Sequence, residues 1–201
     1  MSADILKVRQ LSIRLEDANS SERLAALEEL QQLARINPRL VCLEALPRII
    51  QVLQERSSTE EYTECLYVLD SLVKCKDSAV TAANTELILS DNSNIELLLD
   101  LLDHTEATIG VMASQVLTEL HACNAVRLEE LIQHCPDGMN KLLQRLPDSS
   151  REAVRNQALV LVQQLTLKNQ EMMKTVVFNE GFDMLFGIIQ VRAKCIYILT
   201  Q

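Results

Sequence analysis

Two thiols and two imidazoles fall close together in this sequence: His121, Cys123, His134 and Cys135. These are the ligand types of a tetrahedral zinc site, and a thiol beside an imidazole could also make a cysteine nucleophile. The spacing argues against both. Zinc ligands come in short pairs such as Cys-x-x-Cys, which does not occur here, and neighbours on a helix point roughly 100° apart, so His134 and Cys135 do not converge. Helix-end histidines and buried thiols are the preferred reading. Gly-x-Ser-x-Gly, His-Glu-x-x-His and paired-carboxylate motifs are missing, and the four glycines (Gly110, Gly138, Gly181, Gly187) are too scattered to cradle a phosphate. The expectation is a protein that is not an enzyme and needs no metal or cofactor.

Three further groups invite a function. Met172-Met173 with Phe178, Phe182 and Phe186 could line a ligand box; the simpler expectation is core, with the rings packing the last two helices together. Arg151, Arg155 and Lys174 are basic in a chain of net charge −9 and are the candidate contacts to an acidic partner surface. The competing reading is a solvated helix face with local ion pairs. Glu60, Glu61 and Glu64 read first as a helix N-terminus complementing its dipole.

The elements that would position these residues repeat. ALEELQQLARIN at 26–37 and ALVLVQQLTLKN at 158–169 share Ala, Leu, Gln-Gln, Leu and Asn at an offset of 132, three times 44. The amphipathic segments starting at Asn94, Gly138 and Gly181 are 44 and then 43 residues apart, and an earlier copy starts near Leu46-Pro47. A period of about 40–47 with helical content is that of armadillo and HEAT arrays. Helices are expected near 3–15, 22–36, 45–55, 60–75, 94–102, 106–123, 126–134, 138–145, 150–168, 170–179 and 182–190, with a polar insertion at 76–93. Capping-box patterns stand at Asn19-x-x-Glu22, Ser58-x-x-Glu61 and Ser149-x-x-Glu152, and Thr105-Glu106 does part of that job in the remaining copy. All four prolines (Pro38, Pro47, Pro136, Pro147) are expected at links or first turns. The fold class is all-α: an armadillo/HEAT-like right-handed helical repeat solenoid of about four repeats, with three-helix copies favouring armadillo.

Composition narrows the partners. Hydrophobic residues at 48% and charged residues at 23% describe a folding chain. The acidic balance lacks the electrostatic footprint of a nucleic-acid binder, so protein partners are expected. The longest apolar runs fall short of the ~18 residues of a membrane span, and the charged N-terminus does not read as a signal peptide. Six cysteines without framework spacing read as reduced thiols of a cytoplasmic protein. Segment 1–18 alternates charge and hydrophobe as an end cap should. The chain thus divides into an armadillo-like part, 1–190, and an atypical tail, 191–201. That tail, VRAKCIYILTQ, is apolar where another copy should begin, which reads as a truncation or splice product.

Residues 151–189 resemble a particular family. Val154-Arg155-Asn156, Leu165-Thr166, Asn169, Lys174-x-Val176-Val177-Phe178 and Phe182-x-x-Leu185-Phe186-x-Ile188-Ile189 are similar to the globular head of the golgin-type vesicle-tethering factors. Asn94-Ile95-Glu96-Leu97-Leu98-Leu99-x-Leu101-Leu102 resembles an earlier repeat of that head, and Arg23-x-x-Ala26-x-x-Glu29-Leu30 its first. The resemblance implies a protein of endoplasmic-reticulum-to-Golgi and intra-Golgi vesicle transport, peripheral at Golgi and vesicle membranes through its partners. It implies Rab-class small GTPases, golgins and fusion machinery as those partners, allows a homodimer, and implies no catalytic residues. The departures are the tail at 191–201 and the lack of sustained heptads for a coiled-coil stalk. A generic armadillo/HEAT adaptor outside vesicle traffic is the alternative, although an import adaptor's rungs of Trp and Asn are not here: Trp is absent.

Overall fold

A computed structural model describes residues 3–16, 19–55, 57–148 and 150–189. Four long helices carry the architecture: α2 (Ser20–Ile36), α4 (Thr59–Val73), α7 (Ala107–Cys123) and α10 (Glu152–Thr166). Each packs on the next along the stack. Between them run α3 (Pro38–Gln54), α5 (Ser78–Ile88), α6 (Asn92–Asp100) with a 3₁₀ turn Leu101–Asp103, α8 (Ala125–His134) and α9 (Gly138–Leu143). After α10 come α11 (Gln170–Phe178) and a helical stretch at 181–189. The described residues contain no strand.

The interior of the stack is aliphatic. Leu27 and Leu30 of α2, Leu66, Leu69 and Leu72 of α4, Leu117 and Leu120 of α7, and Leu161 and Leu165 of α10 are all fully buried. Each such side chain contributes about 1.5–3 kcal/mol by leaving water. Ala26, Ala113 and Ala158 are fully buried too, and their small side chains let successive long helices approach closely.

The periodicity of the links has a chemical cause. Behind α2, α4, α7 and α10 the next helix is capped by Asn37, Asp77, Asn124 and Asn169, whose side chains accept from the amides of Leu40, Ala79 and Val80, Arg127, and Met172. These caps satisfy donors that a helix start leaves unpaired, so the chain can turn sharply and begin again. Two later turns share a second device. Asp137 (φ 54°) and Glu180 (φ 58°) are left-handed and are each followed by glycine. A Cβ on Gly138 would lie 2.4 Å from the Ile132 carbonyl oxygen, and one on Gly181 would lie 2.7 Å from that of Val176. These landmark glycines exist for close approach of the preceding helix end.

Several expectations are corrected. The stretch 76–93 is no loop insertion: Asp77 starts α5, and Asn84, fully buried, donates to the Leu72 carbonyl at 3.0 Å. Its polar sequence hid the helix because α5 is short and holds its place by hydrogen bonds as much as by apolar burial. Helix α3 begins at Pro38 rather than 45, which puts Pro47 inside it. Proline there forfeits one backbone hydrogen bond, and burial of Val41, Cys42, Ala45, Ile49 and Leu53 on both sides holds the helix together. This copy thus joins in one helix what later copies divide.

The capping boxes differ among themselves. At Ser58–Glu61 both reciprocal bonds form. Asn19 caps α2, but Glu22 turns to Arg14 at 2.9 Å instead of closing a box. Thr105-Glu106 does not cap by side chain; the Glu106 amide donates to His104 Nδ1 at 3.1 Å. Helix α10 starts at Glu152 behind Arg151 without a side-chain cap, and Ser149 lies outside the described residues, as do 190–201.

At the N-terminal end α1 (Ala3–Arg14) packs on α2 and α3 through Val8 and Leu11. Its outer charges pair with the same helices: Lys7 with Glu29, Arg9 with Glu44, Arg14 with Glu22 and Glu29. Within that opening segment α1 thus buries its hydrophobes and pairs its charges. The aromatic trio is corrected in the opposite sense. Phe178 is 88% exposed, and Phe182 and Phe186 are also open, while the rings' neighbour Met172 is fully buried and Met173 is not. Their face at the C-terminal end of the described stack has no further helix over it among the described residues.

Candidate interaction surface

The histidines and thiols do not assemble a site. His121 Nε2 lies 3.0 Å from Glu129, joining α7 to α8, and His134 Nδ1 meets its own helix's Glu130 carbonyl at 2.6 Å. Cys135 is buried in the core and Cys123 stands exposed at the end of α7. Among the described residues no three His, Cys, Asp or Glu side chains group as metal ligands do. Glu129 is a structural hub, because its other oxygen accepts from Asn169 Nδ2 at 2.7 Å. Asn169 thereby caps α11 and ties it to α8.

The three basic candidates separate in the structure. Arg151 reaches back across the stack, its Nη2 donating to the His104 carbonyl at 2.6 Å and its Nη1 standing 3.8 Å from Asp103. Arg145 also pairs with Asp103, so one carboxylate receives two guanidinium groups. His104 in turn stacks edge-on against Tyr62, centroids 5.0 Å apart, and Tyr62 donates to the Glu55 carbonyl at 2.9 Å. This chain of contacts joins α3, α4, the α6–α7 link and the start of α10. Arg155 is buried and donates to Glu152 at 2.9 Å. Lys174 is the exposed member, its side chain 70% open and paired with Glu171 at 2.7 Å.

Glu61 of the acidic cluster is not a surface group at all. It is 1% exposed, accepts from Arg23 Nε at 2.7 Å and from the Ser58 amide at 2.8 Å. Glu64 is held above its ordinary pKa, mainly by burial and then by Glu28 nearby.

Sequence reasoning missed one concavity. It lies between the α2–α3 and α4–α5 links, about 720 Å³, with Arg35, Ile36, Arg39, Tyr67, Lys74 and Lys76 in its lining. The signal was present in Arg35-Ile36-Asn37-Pro38-Arg39 and Lys74-Cys75-Lys76-Asp77, basic residues at equivalent links of adjacent copies.

The described residues thus form a stack of helix groups with charged links. Among the described residues no helix is long and apolar enough to cross a membrane. Over 182 residues the chain is 32% identical to Golgin candidate 6 of Arabidopsis thaliana, which covers 84% of this chain and 20% of that protein. Its homologues are golgin-type vesicle-tethering factors. The human General vesicular transport factor p115 is 28% identical over 191 residues, 89% of this chain and 19% of that one. The crystal structure of Uso1-1 superposes with a TM-score of 0.79 at 17% identity, over 94% of this chain and 33% of that chain, which shows the shared fold. The chain spans about a fifth of the length of these curated relatives. No family model matches. The resemblance read over about 20–190, densest at 151–189, agrees with these matches, which cover most of the sequence.

Proposed function

We propose that this chain is the protein-binding head part of a vesicle-tethering factor, acting as a non-catalytic scaffold in endoplasmic-reticulum-to-Golgi and intra-Golgi transport. The observation that carries the reading is the agreement of two measures over nearly the same span: 32% identity to a golgin and the Uso1 fold at TM-score 0.79. It is peripheral to Golgi and vesicle membranes and reaches them through partners, with a Rab-class small GTPase, golgins and fusion machinery as the candidates that the homology suggests. A homodimer belongs to the same reading. Tethering requires spanning a distance, which the helix stack by itself does not do; its part is recognition.

Of the three basic candidates, Lys174 is the one proposed to meet an acidic partner surface, because its side chain is the most open, while Arg151 is tied to the His104 carbonyl and Arg155 to Glu152 of its own helix. The test is a binding assay of the purified chain against immobilised Rab-class GTPases loaded with GTP or GDP. Binding weakened by Lys174→Glu supports the reading. Failure to bind any of them in either nucleotide state, with the chain folded by circular dichroism, overturns the Rab assignment and favours an adaptor role elsewhere.

A further inference from the structure

We infer that the cavity between the α2–α3 and α4–α5 links is a docking groove for an acidic peptide segment with an apolar anchor. The groove goes beyond the tethering reading and is independent of it. Its floor and walls are the ends of two adjacent long helices and the starts of the two that follow, so it sits at a seam between copies.

Charge sets the class of occupant. In a chain of net charge −9, four cations line this one cavity against two carboxylates. Neither carboxylate opposes a ligand well. Asp70 is engaged by Lys74 at 2.7 Å, and the Asp77 side chain is turned into its own helix, accepting from the Ala79 and Val80 amides. Arg39 braces the wall by donating to the Ala83 carbonyl and to Asn84. Lys74 also reaches Glu119 at 3.5 Å. Arg35, in the last turn of α2, and Lys76, in the α4–α5 link, both stand exposed, with Glu64 the carboxylate that feels Arg35. They give the groove a positive rim contributed by two adjacent copies.

Apolar surface sets the anchor. Ile36 is 81% exposed and Tyr67 is 45% exposed, and both line the same cavity. An exposed isoleucine at a helix end costs apolar hydration that a bound Leu or Phe would relieve. A bare phosphate leaves these two side chains wet, and nucleic acid is repelled by the overall charge. An extended peptide offers carboxylates to the rim and an apolar side chain to the floor at the same time.

The experiment uses a fluorescein-labelled peptide with a Leu-Phe pair between two runs of Glu, and an analogue with Gln for every Glu. Fluorescence anisotropy should show binding of the Glu peptide, weakening as NaCl rises, and little binding of the Gln analogue. The double variant Arg35→Glu/Lys76→Glu should weaken it roughly tenfold or more, and Ile36→Ala should weaken it as well. Lys168→Glu, an exposed charge reversal outside the groove, should leave it unchanged, with unfolding temperatures reporting that each variant is folded. Amide shifts on titration should gather at 35–39 and 74–80. Equal binding by the double variant and by Lys168→Glu overturns the groove. Equal binding of the Gln analogue, or displacement by inorganic phosphate beyond what NaCl of the same ionic strength achieves, overturns the peptide as occupant.

Discussion

Arg23 and Glu61 form an ion pair across the first two long helices, Nε 2.7 Å from Oε1, with the carboxylate 1% exposed. The same Glu61 closes the capping box of α4, so one side chain terminates a helix and links it to its neighbour. Arg23→Ala should therefore destabilise the fold by about 3 kcal/mol, because a buried carboxylate is left without its cation. Urea unfolding checks this, and a loss near zero would show that Glu61 finds water instead.

That pair also sets an acid limit. Burial by itself raises the Glu61 pKa, but hydrogen bonds from Arg23, Ser58 and Ser20, with the charge of Arg23, together outweigh it and hold the carboxyl below its ordinary value. A group lowered on folding stabilises above its unfolded pKa, about 4.3, and loses that contribution as pH falls through the folded value. Melting temperature should fall below about pH 4 more steeply in the native chain than in Glu61→Gln.

Glycine at 138 is a steric requirement. Gly138→Ala places a Cβ against the Ile132 carbonyl, and backbone cannot rotate away as a side chain can. A loss of about 2 kcal/mol is expected. Gly187→Ala, where a Cβ meets open space, is the control and should not destabilise.

The basic trio should split by readout. Arg151→Ala removes the tie from α10 to the His104 carbonyl and should cost about 1–2 kcal/mol. Lys174→Ala breaks an exposed pair and should change stability by less than about 0.5 kcal/mol, showing instead in partner binding. Stability and binding measured on both variants separate the two roles.

Thiol chemistry gives a further check on burial. Cys42 is fully buried and its thiol is pushed up to about 12, mainly by burial; Cys65 is raised further by the same cause. At pH 8 a thiol of pKa about 12 is thiolate in about one molecule in ten thousand. Iodoacetamide followed by peptide mass spectrometry should modify the exposed Cys123 well before Cys42 or Cys65.

The helical class, the recurring long helices and the caps at Asn19 and Ser58 were legible in residue order. They were legible because those depend on local physics. Apolar spacing of Leu66, Leu69 and Leu72 marks a buried stripe, Asn and Ser before a helix satisfy its first amides, and Ala26 and Ala158 recur in register. Homology was legible in 151–189 for the same reason, since residue order survives without coordinates. What the tertiary structure decided was how residues distant in sequence meet. Glu61 reads only as a capping acid until Arg23 arrives 38 positions away, Arg151 reads as a contact residue until the His104 carbonyl accepts from it, and α5, which lacks an apolar stripe, is held by the hydrogen bond that Asn84 donates to Leu72. The phenylalanines read as core because rings usually are, and their exposure depends on which surfaces face them. The groove exists only where two links lie side by side. Helix formation is written in spacings of three and four residues; pairing across helices depends on distances that only packing sets.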